Sequence, residues 1–251
     1  MIQTDTSGAP APPAHLVAGV GRGDFWQNGF HLVELIERFT SLRPDDHILD
    51  VGCGLGRLAW PVSRELGERG TYNGIDTVPE YVGWCTTGLG LDPARFSFHL
   101  ADIYSSFYNR FGTIKPEEFH FPWPDGTFTL AIATSLFTHL SAAATVNYVR
   151  EISRLLVPGG RLFASLFVLD NESREALETG PTAPSFTIPF EHGMLSDPEN
   201  PDFAIAFDAT WLHQVFISAG FEIAAYEQGL WRRTAGPSHQ DIVVARRSWS
   251  G

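Results

Sequence analysis

Lysine is almost missing from this chain, and basic residues as a whole are scarce. Among 251 residues, 17 are Lys or Arg and 29 are Asp or Glu, a net charge of −12, and Lys115 is the single lysine. This balance argues against a broad nucleic-acid footprint, which needs a cationic face to displace counterions. It argues equally against a polybasic grip on anionic lipid. A phosphate-loop or Schiff-base lysine has Lys115 as its lone candidate, and Lys115 stands in neither context. Cysteine is nearly as rare: Cys53 and Cys85 make no disulfide framework. Both are expected to be reduced, as in a cytoplasmic protein. No apolar run reaches about 18 residues, so no membrane span is expected. The N-terminus lacks the basic-then-apolar pattern of a secretion signal. No close His, Asp and Glu spacing calls for a metal ion.

What is present is globular in character. Hydrophobic residues make up 43% and charged residues 18%, enough to build a core without disulfide or metal staples. Residues 1–20, rich in Ala, Pro, Gly, Ser and Thr, read as a flexible tail, which leaves one domain over 21–251. Apolar residues at Leu32, Leu35, Ile36 and Phe39 predict a helix over Phe30–Phe39. Ile48–Val51 reads as a strand, followed by the glycine-rich turn Gly52-Cys53-Gly54-Leu55-Gly56 and a helix over Arg57–Leu66. Strands over 72–76, 96–100, 129–133 and 161–168 alternate with helices over 79–87 and 142–156. Such alternation predicts a parallel α/β sheet with right-handed crossovers. A long loop rich in aromatics and prolines spans 103–126, and residues 169–207 read as a cap or lid. Asp208 is the expected N-cap of a helix that Gly220 stops. The strands 221–227 and 241–246, joined without a helix, predict an antiparallel pair at the sheet edge.

Three strand ends carry chemistry. The glycine turn follows a strand and opens a helix, so its backbone N–H groups can approach a ligand. A plain packing turn is the structural alternative. Asp76 ends the second strand 20 residues after Gly56, where an acid accepts hydrogen bonds from ribose hydroxyls. Asp102 ends the third strand at the same sheet edge, placed to receive an adenine amino group. Either acid also suits a helix cap. Their convergence on one crevice is the more specific observation.

These motifs resemble the class I S-adenosylmethionine-dependent methyltransferases, the methyltransferase 11 or 25-like group. The resemblance rests on Leu49–Arg57, Gly74-Ile75-Asp76, Ala101-Asp102-Ile103, Phe121–Phe128 and Leu155–Leu162. It covers residues 21–168 and the C-terminal strand pair. It implies a Rossmann-like seven-stranded sheet of order 3-2-1-4-5-7-6 with strand 7 antiparallel. It also implies S-adenosyl-L-methionine as cofactor. Asp50, Gly52, Cys53, Gly54 and Gly56 would then line its methionine and ribose portions, and Asp76 would hold the ribose hydroxyls. Asp102 and Ile103 would flank adenine, and Ser135 would offer backbone contacts near the methionine end. An NAD-binding domain would need a second βαβ half, which residues 169–251 do not supply.

Methyl transfer needs alignment of the acceptor and, for an alcohol, removal of its proton. His139, just after the fourth strand, is the candidate general base; a histidine that braces this turn is the alternative. Phe25, Trp26, Tyr104, Tyr108, Phe121 and Trp123 lie in segments expected around the cleft mouth. His192 is a second histidine that can reach from the lid. Arg232 and Arg233 read as a solvated pair, with Arg232 also able to meet an anionic substrate. The reading is O-methylation of a small hydroxylated acceptor, a sugar or secondary metabolite. C- or N-methylation, and a non-catalytic cofactor-binding module, remain as rivals.

Overall fold

Apolar residues predominate at successive positions of the strands at 48–51, 130–133 and 162–169, which are buried on both faces. In the computed structural model, which describes residues 8–20, 23–180 and 182–249, five strands run parallel. They are β1 (His47–Val51), β2 (Thr71–Asp76), β3 (Phe96–Leu100), β4 (Phe128–Thr134) and β5 (Leu156–Leu169). Two strands, β9 (Phe221–Glu227) and β10 (Asp241–Arg247), complete the sheet, with β10 antiparallel to both β5 and β9. The order is β3-β2-β1-β4-β5-β10-β9. With β9 as sixth strand and β10 as seventh, this is the expected 3-2-1-4-5-7-6. Short strands β6 (Ile188–Phe190), β7 (Gly193–Leu195) and β8 (Ile205–Asp208) add an arm, with β8 parallel to the end of β5.

The helices are α1 (Ala14–Val17), α2 (Phe25–Thr40), α3 (Ala59–Ser63), α4 (Pro79–Gly88), α5 (Ala142–Leu155), α6 (Asn171–Thr179) and α7 (Ala209–Ser218). Side chains alternate across the sheet. Ile48, Leu130 and Ile132 pack with Phe30, Val33 and Ile36 of α2. Leu49, Val51, Ala131 and Ala133 pack with Tyr148, Ile152 and Leu155 of α5 and Phe216 of α7. Asp50 therefore shares the α2 side of β1. Caps fix where the helices start: Asp24 accepts from the Gln27 amide at 2.8 Å, and Ser141 from Ala144 at 3.2 Å. Asp208 caps α7 as its sequence predicts, accepting from Thr210 and Trp211. None of these helices is long and apolar enough to cross a membrane.

Four local expectations change. The tail reading does not extend to residues 8–20, because Leu16 is buried and the Pro10 carbonyl accepts the Trp26 indole N–H at 3.0 Å. Residues 1–7 of that segment lie outside the described residues. The helix over 57–66 contracts to α3, bracketed by turns. Residues 169–207 hold α6 and the β6–β8 arm, whose Ala204 and Ala206 pack on Phe167 and Leu169 of β5. Arg232 is fully buried, not solvated. It pairs with Asp170 at 2.7 Å and Asp241 at 3.0 Å, so it is no free cation for a substrate.

Deleting residues 1–20 is expected to destabilise the fold. Exposing the Leu16 site and losing the indole bond should cost about 2–4 kcal/mol, or roughly 5–12 °C in Tm. Calorimetry checks this, and an unchanged Tm would show the segment contributes nothing to the folded body.

Candidate active site

The ends of β1 and β2 lie side by side, with Asp50 opposite Gly74 and Val51 opposite Ile75. The chain then turns so that the Gly52 and Cys53 amides both donate to the Ile75 carbonyl, at 2.8 and 3.1 Å. Gly56 sits at φ +71°, and a Cβ there would lie 2.5 Å from Leu89 Cδ1. Only glycine meets both constraints. Gly54, at φ +53°, aims its amide at Asp76 Oδ2, 2.8 Å away. The other oxygen of Asp76 accepts from the Val78 amide at 2.9 Å, at the start of α4. The Asp76 carboxylate thus ties the glycine turn to the next crossover. Burial raises its pKa, partly offset by the Val78 and Gly54 amides.

Asp50 lies deeper. One oxygen accepts from the Tyr72 hydroxyl, and the other, Oδ1, has no hydrogen-bond partner among the described residues. A side chain at Gly74, opposite Asp50, would strike Cys53 Sγ at 2.8 Å and Phe98 at 2.9 Å. Burial pushes the Asp50 carboxyl up to about 7, against the Tyr72 bond that lowers it and with Asp76 adding repulsion. An orphaned buried acceptor carries a desolvation cost that a cation or a donor would relieve. The Cys53 thiol is pushed well above its usual range by its bond to Cys85 and by burial, so it stays neutral. Both cysteines are free. Residues 16–20 close the turn from above: the Arg57 guanidinium donates to the Val20 carbonyl, and a Cβ on Gly54 would touch Val20 at 3.6 Å.

Asp102 stands at the third strand end but is exposed, and its carboxylate accepts from the Thr113 amide and hydroxyl. It shapes the following loop. Ile103 is buried, its carbonyl accepting from Thr77 and Asn109. Ser135, after β4, adopts a left-handed conformation at φ +59°. Its amide donates to Ser165, and its hydroxyl accepts from Gln240 at 2.6 Å. Gln240 in turn accepts from the Ser165 hydroxyl at 2.8 Å, closing a ring. Gln240 carries no local sequence signal, because its partners lie 75 and 105 residues away.

His139 occupies a short 3-10 turn after β4. Its Nδ1 lies 2.7 Å from the Asp202 carbonyl oxygen. A carbonyl only accepts, so Nδ1 carries the proton and Nε2 the lone pair. The Tyr108 hydroxyl donates to Nε2 at 3.3 Å. Burial raises Tyr108 to about 12, which keeps it a donor, and lowers His139 despite the Asp202 carbonyl. Asp202 had no motif to mark it. Its carboxylate also accepts from the Ser106 amide and hydroxyl, at 2.9 and 2.7 Å. Among the aromatics expected at the mouth, Phe25, Trp26 and Phe121 are core residues, whereas Tyr104 is exposed and Tyr108 flanks His139. Trp123 packs edge-on to His99 and Phe128. His192 stacks on Trp211 at 4.9 Å.

The arrangement therefore offers two carboxylates, Asp50 buried with a vacant acceptor and Asp76 half-buried, beside the glycine turn and a neutral histidine. A ligand with positive charge and hydroxyl donors answers both carboxylates.

Residues 48–160 match the family profile described as a methyltransferase domain. A structure described as a SAM-dependent methyltransferase from Methanosarcina mazei is 21% identical, with TM-score 0.57, covering 85% of this chain and 97% of that one. A SAM-dependent methyltransferase structure from Mesorhizobium loti is 16% identical, with TM-score 0.57, covering 90% and 99%. The [4+2]-cyclase SpnF is 20% identical, with TM-score 0.58, covering 91% and 84%. At these identities the structural likeness establishes the fold.

Asp50 yields a pH signature. Between its ordinary 3.8 and about 7 the folded chain keeps a proton that the unfolded chain has released. Stability from this group therefore falls as pH rises through that window and is flat above it. Asp50→Asn removes the titration. Its Tm relative to the parent should rise from pH 5 to pH 8 by several degrees, on the scale of about 1–3 kcal/mol. A difference independent of pH would contradict the assigned burial.

Proposed function

We propose that this chain, part of which matches a methyltransferase domain, is a class I S-adenosylmethionine-dependent methyltransferase that methylates the hydroxyl oxygen of a small acceptor with His139 as general base. The observation that carries this reading is the fixed tautomer of His139. Its Nδ1 proton is committed to the Asp202 carbonyl, and its lowered pKa leaves Nε2 unprotonated at neutral pH, its lone pair held by the Tyr108 hydroxyl at 3.3 Å. When bound, S-adenosylmethionine supplies a methyl carbon whose bond to sulfur breaks as a bond to the acceptor oxygen forms, the electron pair going to sulfur.

The residues present fit that cofactor. Asp76 would accept from the ribose hydroxyls with lone pairs that its two backbone donors leave over. Asp50, with its unpartnered Oδ1, would favour the positively charged methionine end. The turn at Gly52, Cys53, Gly54 and Gly56 would let the backbone approach closely, Asp102 and Ile103 would border adenine, and the Ser135 backbone would face the methionine portion. His139 holds the acceptor proton at Nε2 once an acceptor hydroxyl takes the place of the long Tyr108 bond. The α6 and β6–β8 segment acts as the lid, since Asp202 at its tip holds both His139 and Ser106. A net charge of −12 favours a small acceptor over nucleic acid. The unpaired thiols of Cys53 and Cys85 suit the cytoplasm.

Two measurements test this. Asp76→Asn keeps one acceptor oxygen for the turn but removes the charge. Calorimetric titration with S-adenosylhomocysteine should show roughly tenfold to hundredfold weaker binding, on the scale of charge-assisted hydrogen bonds. Unchanged affinity would remove Asp76 from the ribose site. His139→Gln should leave that affinity within about twofold and slow methyl transfer by about 100-fold or more. In the parent enzyme the acid limb of kcat/KM should have its midpoint below pH 6.5. An acid limb retained in His139→Gln would assign the proton to another group.

A further inference from the structure

The turn after β4 bends at a residue that has to be held in place. Ser135 lies at φ +59°, a region that glycine enters freely and that strains a residue with a Cβ. The turn after β1 uses glycine for such conformations, at Gly52, Gly54 and Gly56. At 135 a serine stands, and its three polar groups are all anchored. Its amide donates to the Ser165 hydroxyl at 3.0 Å and to the Ser165 carbonyl at 3.1 Å. Its carbonyl accepts from the Thr138 hydroxyl at 2.7 Å, and its hydroxyl accepts from Gln240 Nε2 at 2.6 Å. Gln240 Oε1 accepts from the Ser165 hydroxyl at 2.8 Å. A carboxamide carries a donor and an acceptor at one tip, so a single side chain closes the ring.

Gln240 is itself seated. Its neighbour Asp241 is fully buried and accepts from the Val168 and Gly229 amides, each at 2.8 Å. The start of β10 therefore delivers the carboxamide to the carboxyl end of β4 from a fixed position. The direction the chain takes out of Ser135 matters to the site. Leu136 follows it, and its Cδ1 would lie 3.3 Å from a Cβ on Gly52. His139 ends the same turn. One backbone conformation at 135 thus sets how the turn after β4 meets the glycine turn after β1, and where His139 stands.

We propose that Gln240 is a positioning residue for the cofactor, holding Ser135 left-handed so that the turn after β4 fits the methionine end of S-adenosylmethionine. This rests on the reading that the Ser135 backbone faces that end, and it adds a residue from the C-terminal strand pair. Gln240 acts through Ser135 and takes no part in methyl transfer.

The test is a double-mutant cycle on the full-length chain, read by calorimetric titration with S-adenosylhomocysteine. Gln240→Met keeps the length of the side chain and removes both bonds, so binding has to restore a conformation that the free chain has left. Affinity should fall roughly fivefold to thirtyfold below the parent, the penalty of a left-handed non-glycine residue. In a Ser135→Gly background that conformation carries no such penalty, and adding Gln240→Met should change affinity by less than about twofold. Ser165→Ala breaks the other leg of the ring and should show the same loss and the same rescue; it carries the comparison if Gln240→Met fails to fold. Unchanged affinity in Gln240→Met, or an equal loss in both backgrounds, overturns the proposal. A parent that fails to bind S-adenosylhomocysteine overturns the methyltransferase reading itself, and so the two failures are told apart before any variant is compared.

Discussion

The Asp76 carboxylate is the constraint on which the site depends. It accepts from Gly54 in the turn after β1 and from Val78 at the start of α4. One half-buried group therefore ties the glycine turn to the start of the next crossover. Burial works against its charge, and only the backbone donors and a ligand's hydroxyls hold that charge in place. Asp50 sharpens the same tension, since its Oδ1 is buried without a partner. The two acids make a local deficit of positive charge at the carboxyl ends of β1 and β2. A cationic, hydroxyl-bearing cofactor would relieve it.

The opposite wall is made by long-range contacts. His139 belongs to the turn after β4, but its tautomer is fixed by Asp202 and its free nitrogen is met by Tyr108, 63 and 31 residues away. Ser135 keeps its left-handed backbone through a ring with Ser165 and Gln240. The segment carrying Asp202 and the aromatic loop are thus braced on each other and on His139. Displacement of either segment would alter the histidine's surroundings.

How much of this was legible in the residues themselves follows from the range of the interactions. The strand alternation, the glycine turn and the acids at 76 and 102 depend on local periodicity and spacing, and each stands where its spacing predicts. The antiparallel β9–β10 edge was legible too, because no helix separates those strands. What stayed hidden involves partners far apart in the chain. Ala204 and Ala206 give no strand signal until the end of β5 receives them. Arg232 resembles any surface arginine until Asp170 and Asp241 converge on it. The Ala- and Pro-rich segment before residue 20 has tail-like composition, yet Leu16 and the Pro10 carbonyl find a groove beside Trp26 that composition cannot foresee. The candidate site divides the same way: its cofactor side follows from local motif, and its acceptor side from topology.

The account's central claim is that the edge formed by β1, β2 and β4 holds the nucleoside of S-adenosylmethionine with Asp76 on its ribose. A crystal structure of the chain with S-adenosylhomocysteine bound tests it most directly. The claim predicts both ribose hydroxyls within hydrogen-bonding distance of Asp76 and the sulfur directed toward the His139 side of the crevice. A nucleoside seated elsewhere, or one whose ribose leaves Asp76 bonded only to Gly54 and Val78, would contradict it.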